Sequence, residues 1–181
     1  MKKVFKIKNL RILLREIERK DIKRVDEFLE YINSLVKENA MISINKELTR
    51  KEEKEFLLRV LENVRKRNEV IIIAEDLDNR KIAGIVNIEK GKYRQSHVGI
   101  LGISVRKEYR GIGLGKILMN EVIKLAKKRL KIKLVKLDVF ENNKIAINLY
   151  KKVGFKIVGR IPKMNYYNGK FVDNIVMIKE L

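Results

Sequence analysis

The sequence predicts a mixed α/β fold. Three observations predict it. Apolar residues recur at helical spacing in some segments and in short β-branched runs in others, so both element types are present. A strand-like run at 100–105 passes through a basic loop and an alternating glycine run into an amphipathic helix. Asn168-Gly169, between two strand-like runs, is a signal for a tight hairpin.

Taken in order, residues 11–17 form the first strand, preceded by basic residues. Asp21 is placed to cap a helix. Ile22, Val25, Phe28, Leu29, Ile32, Leu35 and Val36 give that helix an apolar stripe reaching about Glu38. Residues 39–48 show no period and read as a loop. Thr49, followed three residues later by Glu52, is a capping box. The helix it opens carries Phe56, Leu57, Val60, Leu61 and Val64 and ends in Arg65-Lys66-Arg67. The period then changes. Residues 70–74 and 81–88 are strands joined by a turn rich in Asp and Asn. Gly84, inside the second, marks a bulge or a close backbone approach. A polar connection at 91–96 leads to a third strand at 97–105. Beyond the glycines, Leu114, Ile117, Leu118, Val122, Leu125 and Ala126 share one helical face. A strand at 134–140 follows, then a short helix at 143–152 closed by Gly154. Strands at 155–160 and 171–179 end the chain. The order is β-α-α-β-β-β-α-β-α-β-β, about seven strands. No internal repeat or low-complexity linker divides it, so residues 1–181 are expected to form one domain with its core from about residue 12.

A chain of 181 residues that is 45% apolar can bury a core, and no run approaches the ~20 apolar residues of a membrane-crossing helix. The start, MKKVFKIKNLRILLR, is charged throughout and does not fit a signal peptide. There is no cysteine, which excludes a disulfide, a thiolate metal site and a cysteine acyl-enzyme. With one histidine, no dedicated zinc site and no metal are expected. The expected compartment is the cytoplasm, with no membrane partner. The net charge of +20 invites an anionic partner. Yet the lysines are spread along the chain and alternate with Glu, as on the Lys/Glu-rich surfaces of hyperthermophile proteins. Nucleic acid is therefore not expected as a partner.

The stretch from 100 to 129 organises the rest. At a strand-loop-helix junction the first helical amides have no intrahelical acceptor, and the helix dipole adds about half a positive charge. Gly111, Gly113 and Gly115 let an anion approach the backbone, and Arg110 and Lys116 add fixed charge. The nucleotide-triphosphate loop fails by spacing. Arg110 stands where its first glycine belongs and Ile117 where its hydroxyl belongs. The dinucleotide fingerprint also fails. Lys116 or Leu118 occupies its third glycine, and five basic-loop residues separate strand from glycines.

What remains, Arg110-Gly111-Ile112-Gly113-Leu114-Gly115, resembles the (Q/R)-x-x-G-x-G/A signature of the GNAT acyltransferases. A second run, from Asn143 through Ala146, Leu149 and Tyr150 to Gly154-Phe155, looks like that family's N-x-x-A-x-x-L-Y-x-x-x-G-F. The element order also matches, over about residues 12–181. The resemblance implies a strongly curved mixed sheet with helices on both faces, and acetyl-CoA as cosubstrate. It implies that the main chain of Ile103, Ser104 and Val105 pairs with the pantetheine arm where two strands splay apart. It further implies that the amides of Gly111, Ile112, Gly113, Leu114, Gly115 and Lys116, with Arg110, hold the pyrophosphate. Asn143 would bond the cofactor arm, and Tyr150 would serve as general acid near the sulfur. A homodimer is compatible with the family.

Transfer of an acetyl group to an amine also needs a base. Many members of that family carry a glutamate on the strand before the glycines, but the strand at 97–105 contains no carboxylate. His97 is its only side chain with a suitable unperturbed pKa. Glu38 is a second candidate, because a carboxylate near a helix C-terminus opposes the dipole. The acceptor site in that family corresponds here to residues 38–48 and 162–170, the latter with Tyr166 and Tyr167; both segments are poor in carboxylates, which disfavours a polyamine. The expected function is an acetyl-CoA-dependent N-acetyltransferase. It would act on the primary amine of a small molecule by direct transfer in a ternary complex. The alternatives are a protein N-terminus or lysine as acceptor, a basic nucleic-acid-binding module, and a non-catalytic acyl-CoA sensor.

Overall fold

The computed structural model describes residues 1–181 and arranges them as eight strands and four helices. β1 (Lys2–Ile7) and β2 (Leu10–Glu16) form a hairpin. α1 (Val25–Lys37) and α2 (Arg50–Arg65) precede β3 (Glu69–Asp76), β4 (Lys81–Lys90) and β5 (Val98–Val105). α3 (Leu114–Leu130) leads to β6 (Leu134–Phe140). α4 (Lys144–Val153) leads to a second hairpin, β7 (Lys156–Tyr167) and β8 (Lys170–Glu180). All strands lie in one sheet, ordered β1-β2-β3-β4-β5-β6-β8-β7. Only β5 and β6 run parallel; the other neighbours are antiparallel.

The eighth strand is β1, which the sequence pattern hides. Val4 and Phe5 sit among lysines without a clean alternation, and Val4 is 61% exposed. As an edge strand β1 needs one pairing partner only, and its lysines discourage a second chain from adding to the sheet. β7 also runs further than the period suggests. Register shifts at Ile157/Gly159 and Ile161/Asn165 break the alternation, and Pro162 is tolerated because β7 is the other edge.

Asp21 does not cap α1. Glu18 is the N-cap of a short 3₁₀ turn at Arg19–Arg24, and Asp21 is its capping-box partner, accepting from the Glu18 N–H at 2.7 Å. Asp21 is fully buried and bound at 2.7 and 2.8 Å by both terminal nitrogens of Arg15, which also bonds Glu75. The expected capping box at Thr49 and Glu52 is present. Gly84 meets both expectations: the β3–β4 register shifts beside it, and a Cβ there would lie 3.0 Å from the Ser104 carbonyl and 3.1 Å from Leu118.

Helices cover both faces of the sheet. Ile72, Ala74, Val86, Ile88 and Leu101 pack against α3 and α4, while Ile71, Ile73 and Ile82 pack against α1 and α2. β3 is therefore buried on both faces, which explains its unbroken apolar run Val70–Ala74. At the centre, β5 pairs with β6 only through Val98, Gly99 and Ile100. Beyond Ile100 and Lys136 the two strands run unpaired to their ends and leave a gap in the sheet.

Candidate active site

The loop after β5 is built to leave backbone exposed. Gly111 and Gly113 have φ of 72° and 89°, in the left-handed region that glycine alone enters freely. No atom lies within 4 Å of a Cβ built at either. The loop is nevertheless anchored, because Leu114 is buried and Ile112 packs on the core. The first local hydrogen bonds run from the amides of Lys116 and Ile117 to the Gly113 carbonyl. The amides of Gly111, Ile112, Gly113, Leu114 and Gly115 donate to no group of the chain. Converging N–H groups at the start of a 17-residue helix, flanked by Arg110 and Lys116, suit a multiply charged anion.

The loop opens onto the gap. The Arg106 amide donates to Ala83 of β4, so alternation turns the main chain of Ser104 toward β4 and that of Ile103 and Val105 toward the gap. Of the three residues expected to offer main chain there, Ile103 and Val105 can and Ser104 cannot. Ser104 instead presents its hydroxyl on the α1 side, sharing a 2.8 Å hydrogen bond with Tyr31. Burial pushes the Tyr31 phenol well above its usual range, so it stays protonated.

Glu38 lies at the same mouth. It follows α1 as its C-cap and forms an ion pair with Arg110, whose Nε donates to the Val105 carbonyl at 2.8 Å. The carboxylate that opposes the α1 dipole is thus offset by a guanidinium. α1 is itself fixed to β5. Arg106 is buried, clasps Glu30 at 2.8 and 2.6 Å, and stacks over the Tyr31 ring at 5.3 Å. The Arg106 guanidinium holds the Glu30 carboxyl below its ordinary value. Sequence periodicity missed Tyr31 and Arg106, since a buried phenol and a buried guanidinium look polar in a one-dimensional pattern.

α4 contributes Asn143 and Tyr150. The Asn143 Oδ1 accepts from the Ala146 amide at 3.1 Å, so this residue caps α4 and has its Nδ2 left for another partner. Gly115 lets α4 close on α3; a Cβ there would stand 3.0 Å from Leu149. Tyr150 is buried beside Phe155, its phenol makes no hydrogen bond within the chain, and burial raises its pKa to about 12. His97 is not brought together with these groups. It precedes β5 at the end remote from the gap, where its carbonyl accepts from Lys133 and Leu134. At ~3.3 Å per residue, the seven positions to Ser104 separate it from the mouth by roughly 20 Å.

One carboxylate at the gap escaped the sequence reading. Val135, Leu137 and Val139 face the α3–α4 core, so Asp138 lies on the opposite face of the sheet, the face that α1 and α2 cover. It accepts from Asn174 at 2.8 Å and pairs with Lys136 at 3.1 Å. Its signal was present as the one acid within the apolar run Leu134–Phe140. The two loops flanking this face are bridged. Asn39 donates to Asn168 at 2.5 Å, and the Tyr167 hydroxyl donates to the Asn39 carbonyl at 2.8 Å. Tyr167 also packs edge-on against Phe140, whereas Tyr166 pairs with Phe171.

Comparison with known proteins agrees with this geometry. The model of the acetyltransferase (GNAT) family matches residues 36–155. The L-amino acid N-acetyltransferase AaaT of Escherichia coli (strain K12) is 37% identical over 86 residues, 48% of this chain and 53% of that protein. The catalytic subunit NAA20 of the N-terminal acetyltransferase B complex of Arabidopsis thaliana is 33% identical over 109 residues, 60% of this chain and 61% of that protein. These matches thus span between half and two thirds of the curated relatives' own length. Among solved structures, an acetyltransferase of the GNAT family from Streptococcus pneumoniae superposes with a TM-score of 0.81 at 33% identity, covering 94% of this chain and 99% of that one.

Proposed function

The chain belongs to the GNAT acetyltransferase family, and we propose that it transfers an acetyl group from acetyl-CoA to the primary amine of a small molecule within a ternary complex. The observation that carries this reading is the row of unpartnered amides from Gly111 to Gly115, beside Arg110 and Lys116, at the mouth of the β5–β6 gap. Acetyl-CoA supplies the acetyl group as an activated thioester. In this reading the amide row and the two cations bind the pyrophosphate, and the gap-facing main chain of Ile103 and Val105 orients the pantetheine arm. The Val105 amide polarises the thioester oxygen, where negative charge develops. The Asn143 Nδ2 supports the arm. Asp138 takes the proton from the incoming ammonium, with Glu38 the second carboxylate at the mouth. The Tyr150 phenol donates to the departing sulfur.

The bridge between Asn39 and the Asn168–Tyr167 turn supports a small acceptor, because it closes one side of the approach to the gap. Two carboxylates, paired with Arg110 and with Lys136, fit a single amine better than a polyamine. A protein N-terminus is the second reading, supported by the likeness to the Arabidopsis N-terminal acetyltransferase subunit. A coenzyme A release assay over amino acids, polyamines, aminoglycosides and basic peptides tests the proposal. Turnover on free amino acids or aminoglycosides is expected. Turnover confined to peptides would move the acceptor to a protein N-terminus. Tight acetyl-CoA binding without turnover on any amine would make the chain an acyl-CoA sensor.

A further inference from the structure

The positive charge looks evenly spread in the sequence, but folding gathers part of it. The runs Arg65-Lys66-Arg67 and Lys127-Lys128-Arg129 lie some 60 positions apart and end α2 and α3, on opposite faces of the sheet. Both helices finish at the end of the sheet where β3 begins. There they enclose a pocket of about 490 Å³ lined by Arg65, Arg67, Lys128, Arg129, Lys131 and Glu69. This is the end remote from the glycine loop.

Helix C-termini attract cations, but each offers only about half a negative charge. Arg65 pairs with Glu62 and Arg129 with Glu16. Arg67, Lys128 and Lys131 have no carboxylate within ion-pairing distance. Glu69, the one acid in the pocket, accepts from Asn63 and Asn87 and forms no ion pair with any of these cations. The pocket therefore holds uncompensated positive charge.

Backbone geometry describes how two of these cations are held, as it also holds Lys8, Arg80 and Lys163 elsewhere in the chain. Arg67 and Lys131, which flank the pocket just past the two helices, both have φ of 57°. That is the left-handed position where helices ordinarily place glycine. Each carries a cation at a conformational cost that glycine would avoid. Of the six other non-glycine residues with positive φ, one stands on the β4–β5 connection. Tyr93 has φ of 52° and is 92% exposed, next to Lys92 and Arg94. This connection is tied to the pocket, since the Lys90 amide donates at 2.7 Å to the carbonyl of Asn68, the residue after Arg67.

From this arrangement we infer that the end of the sheet opposite the glycine loop binds single-stranded nucleic acid, with phosphates in the Arg67–Lys131 pocket and a base stacked on Tyr93. Uncompensated cations track a phosphate backbone, and an exposed aromatic supplies a face on which any base can stack. This proposal runs against the expectation, drawn from the spread of lysines along the chain, that nucleic acid is not a partner. The acyl-transfer site is not involved, so the two readings stand or fall separately.

The test is fluorescence anisotropy with a labelled 20-nucleotide oligouridylate, over a series of salt concentrations, on the full chain. Arg67→Gly/Lys131→Gly removes two charges at positions that favour glycine. Its melting temperature should hold or rise while affinity falls at least tenfold. The slope of log K against log salt should shrink by about 1.4, since each phosphate contact on a single strand contributes about 0.7. Lys6→Gln/Lys8→Gln removes the same charge at the β1–β2 turn, at the other end of the sheet, and should weaken binding less than threefold. Tyr93→Ala should weaken binding about tenfold. Coenzyme A binding should not change in any of the three. Equal losses in the two charge-removal variants would overturn the site, as would wild-type protein that fails to bind at 50 mM salt. Unchanged affinity in Tyr93→Ala would overturn the base stacked on Tyr93.

Discussion

Arg110 bridges Glu38 and the carbonyl of Val105, so one guanidinium ties the end of α1 to the end of β5 across the mouth of the gap. The same guanidinium is a cation that the glycine loop offers to an anion. A carboxylate and a pyrophosphate would then compete for it. Glu38→Gln removes the competitor and keeps the side-chain shape. Coenzyme A should bind severalfold more tightly to this variant at low salt, with the difference shrinking as salt screens the pair. Titration calorimetry at two ionic strengths measures this; weaker binding in Glu38→Gln would show that the carboxylate supports the cofactor rather than opposing it.

Gly113 gives the sharpest test of the loop. Its φ of 89° resists any side chain, yet space for a Cβ is open. Gly113→Val should therefore cost about 1–3 kcal/mol in backbone strain. A domain with a typical ~5–15 kcal/mol of stability survives that. The isopropyl group would point into the space an anion needs to reach the amides. Circular dichroism should report a folded chain, while calorimetry reports at least a tenfold loss in coenzyme A affinity. Unchanged affinity would place the pyrophosphate elsewhere.

Asp138 and Glu38 can be separated by kinetics. Both carboxylates lie at the gap, Glu38 engaged by Arg110 and Asp138 by Lys136 and Asn174. Asp138→Asn should lower kcat/KM by about 10²–10⁴, the usual worth of a general base, and leave coenzyme A affinity alone. Glu38→Gln should lower kcat/KM by much less. If the larger loss falls on Glu38→Gln, the base is Glu38.

Glu53 makes stability depend on pH. It is a buried residue in the first turn of α2, and burial raises its carboxyl pKa to about 7 from an ordinary 4.5. Between those values the folded chain keeps a proton that the unfolded chain has released. By linkage, stability falls as pH rises through this window and is level above it. Gln imitates the protonated form. Glu53→Gln should raise the melting temperature at pH 8 by about 2–4 °C for each kcal/mol recovered, and by much less at pH 5. Equal shifts at the two pH values would mean that the gain comes from packing alone.

The glycine loop and α4 were legible in the sequence because their function lies in backbone and spacing. Gly111, Gly113, Asn143 and Gly154 each hold a conformation or cap that few residue types fill, so identity alone marks them. Asp138 and Tyr31 were not legible, because their importance comes from which side of a strand or helix meets the gap. That is decided by the long-range pairing of β5, β6 and β8, which no local period encodes. His97 shows the converse: the right residue type on the right strand, placed at the wrong end of it. The basic pocket was invisible for the same reason, since Arg67 and Lys131 meet only once α2 and α3 close over the sheet.

In the proposed reaction Tyr150 is the group that meets the leaving sulfur. Its phenol is buried, free of any partner in the chain, and has a pKa near 12, so it is protonated at every practical assay pH. A thiol ordinarily titrates near 8.5. Complete transfer from this phenol to a thiolate is then uphill. The phenol is better suited to donate a hydrogen bond to the developing thiolate than to give up its proton outright. Hydrogen bonds to charged groups are worth about 1.5–3 kcal/mol, or roughly 10–10² in rate. Tyr150→Phe keeps the ring against Phe155 and removes only this bond. It should lower kcat by about that factor, with fold and coenzyme A affinity nearly unchanged. An acyl donor with a more acidic thiol should lose less, because its thiolate needs less help. A kcat within about threefold of wild type, with chemistry shown to be rate-limiting, would make Tyr150 a packing residue and leave the sulfur to depart unassisted.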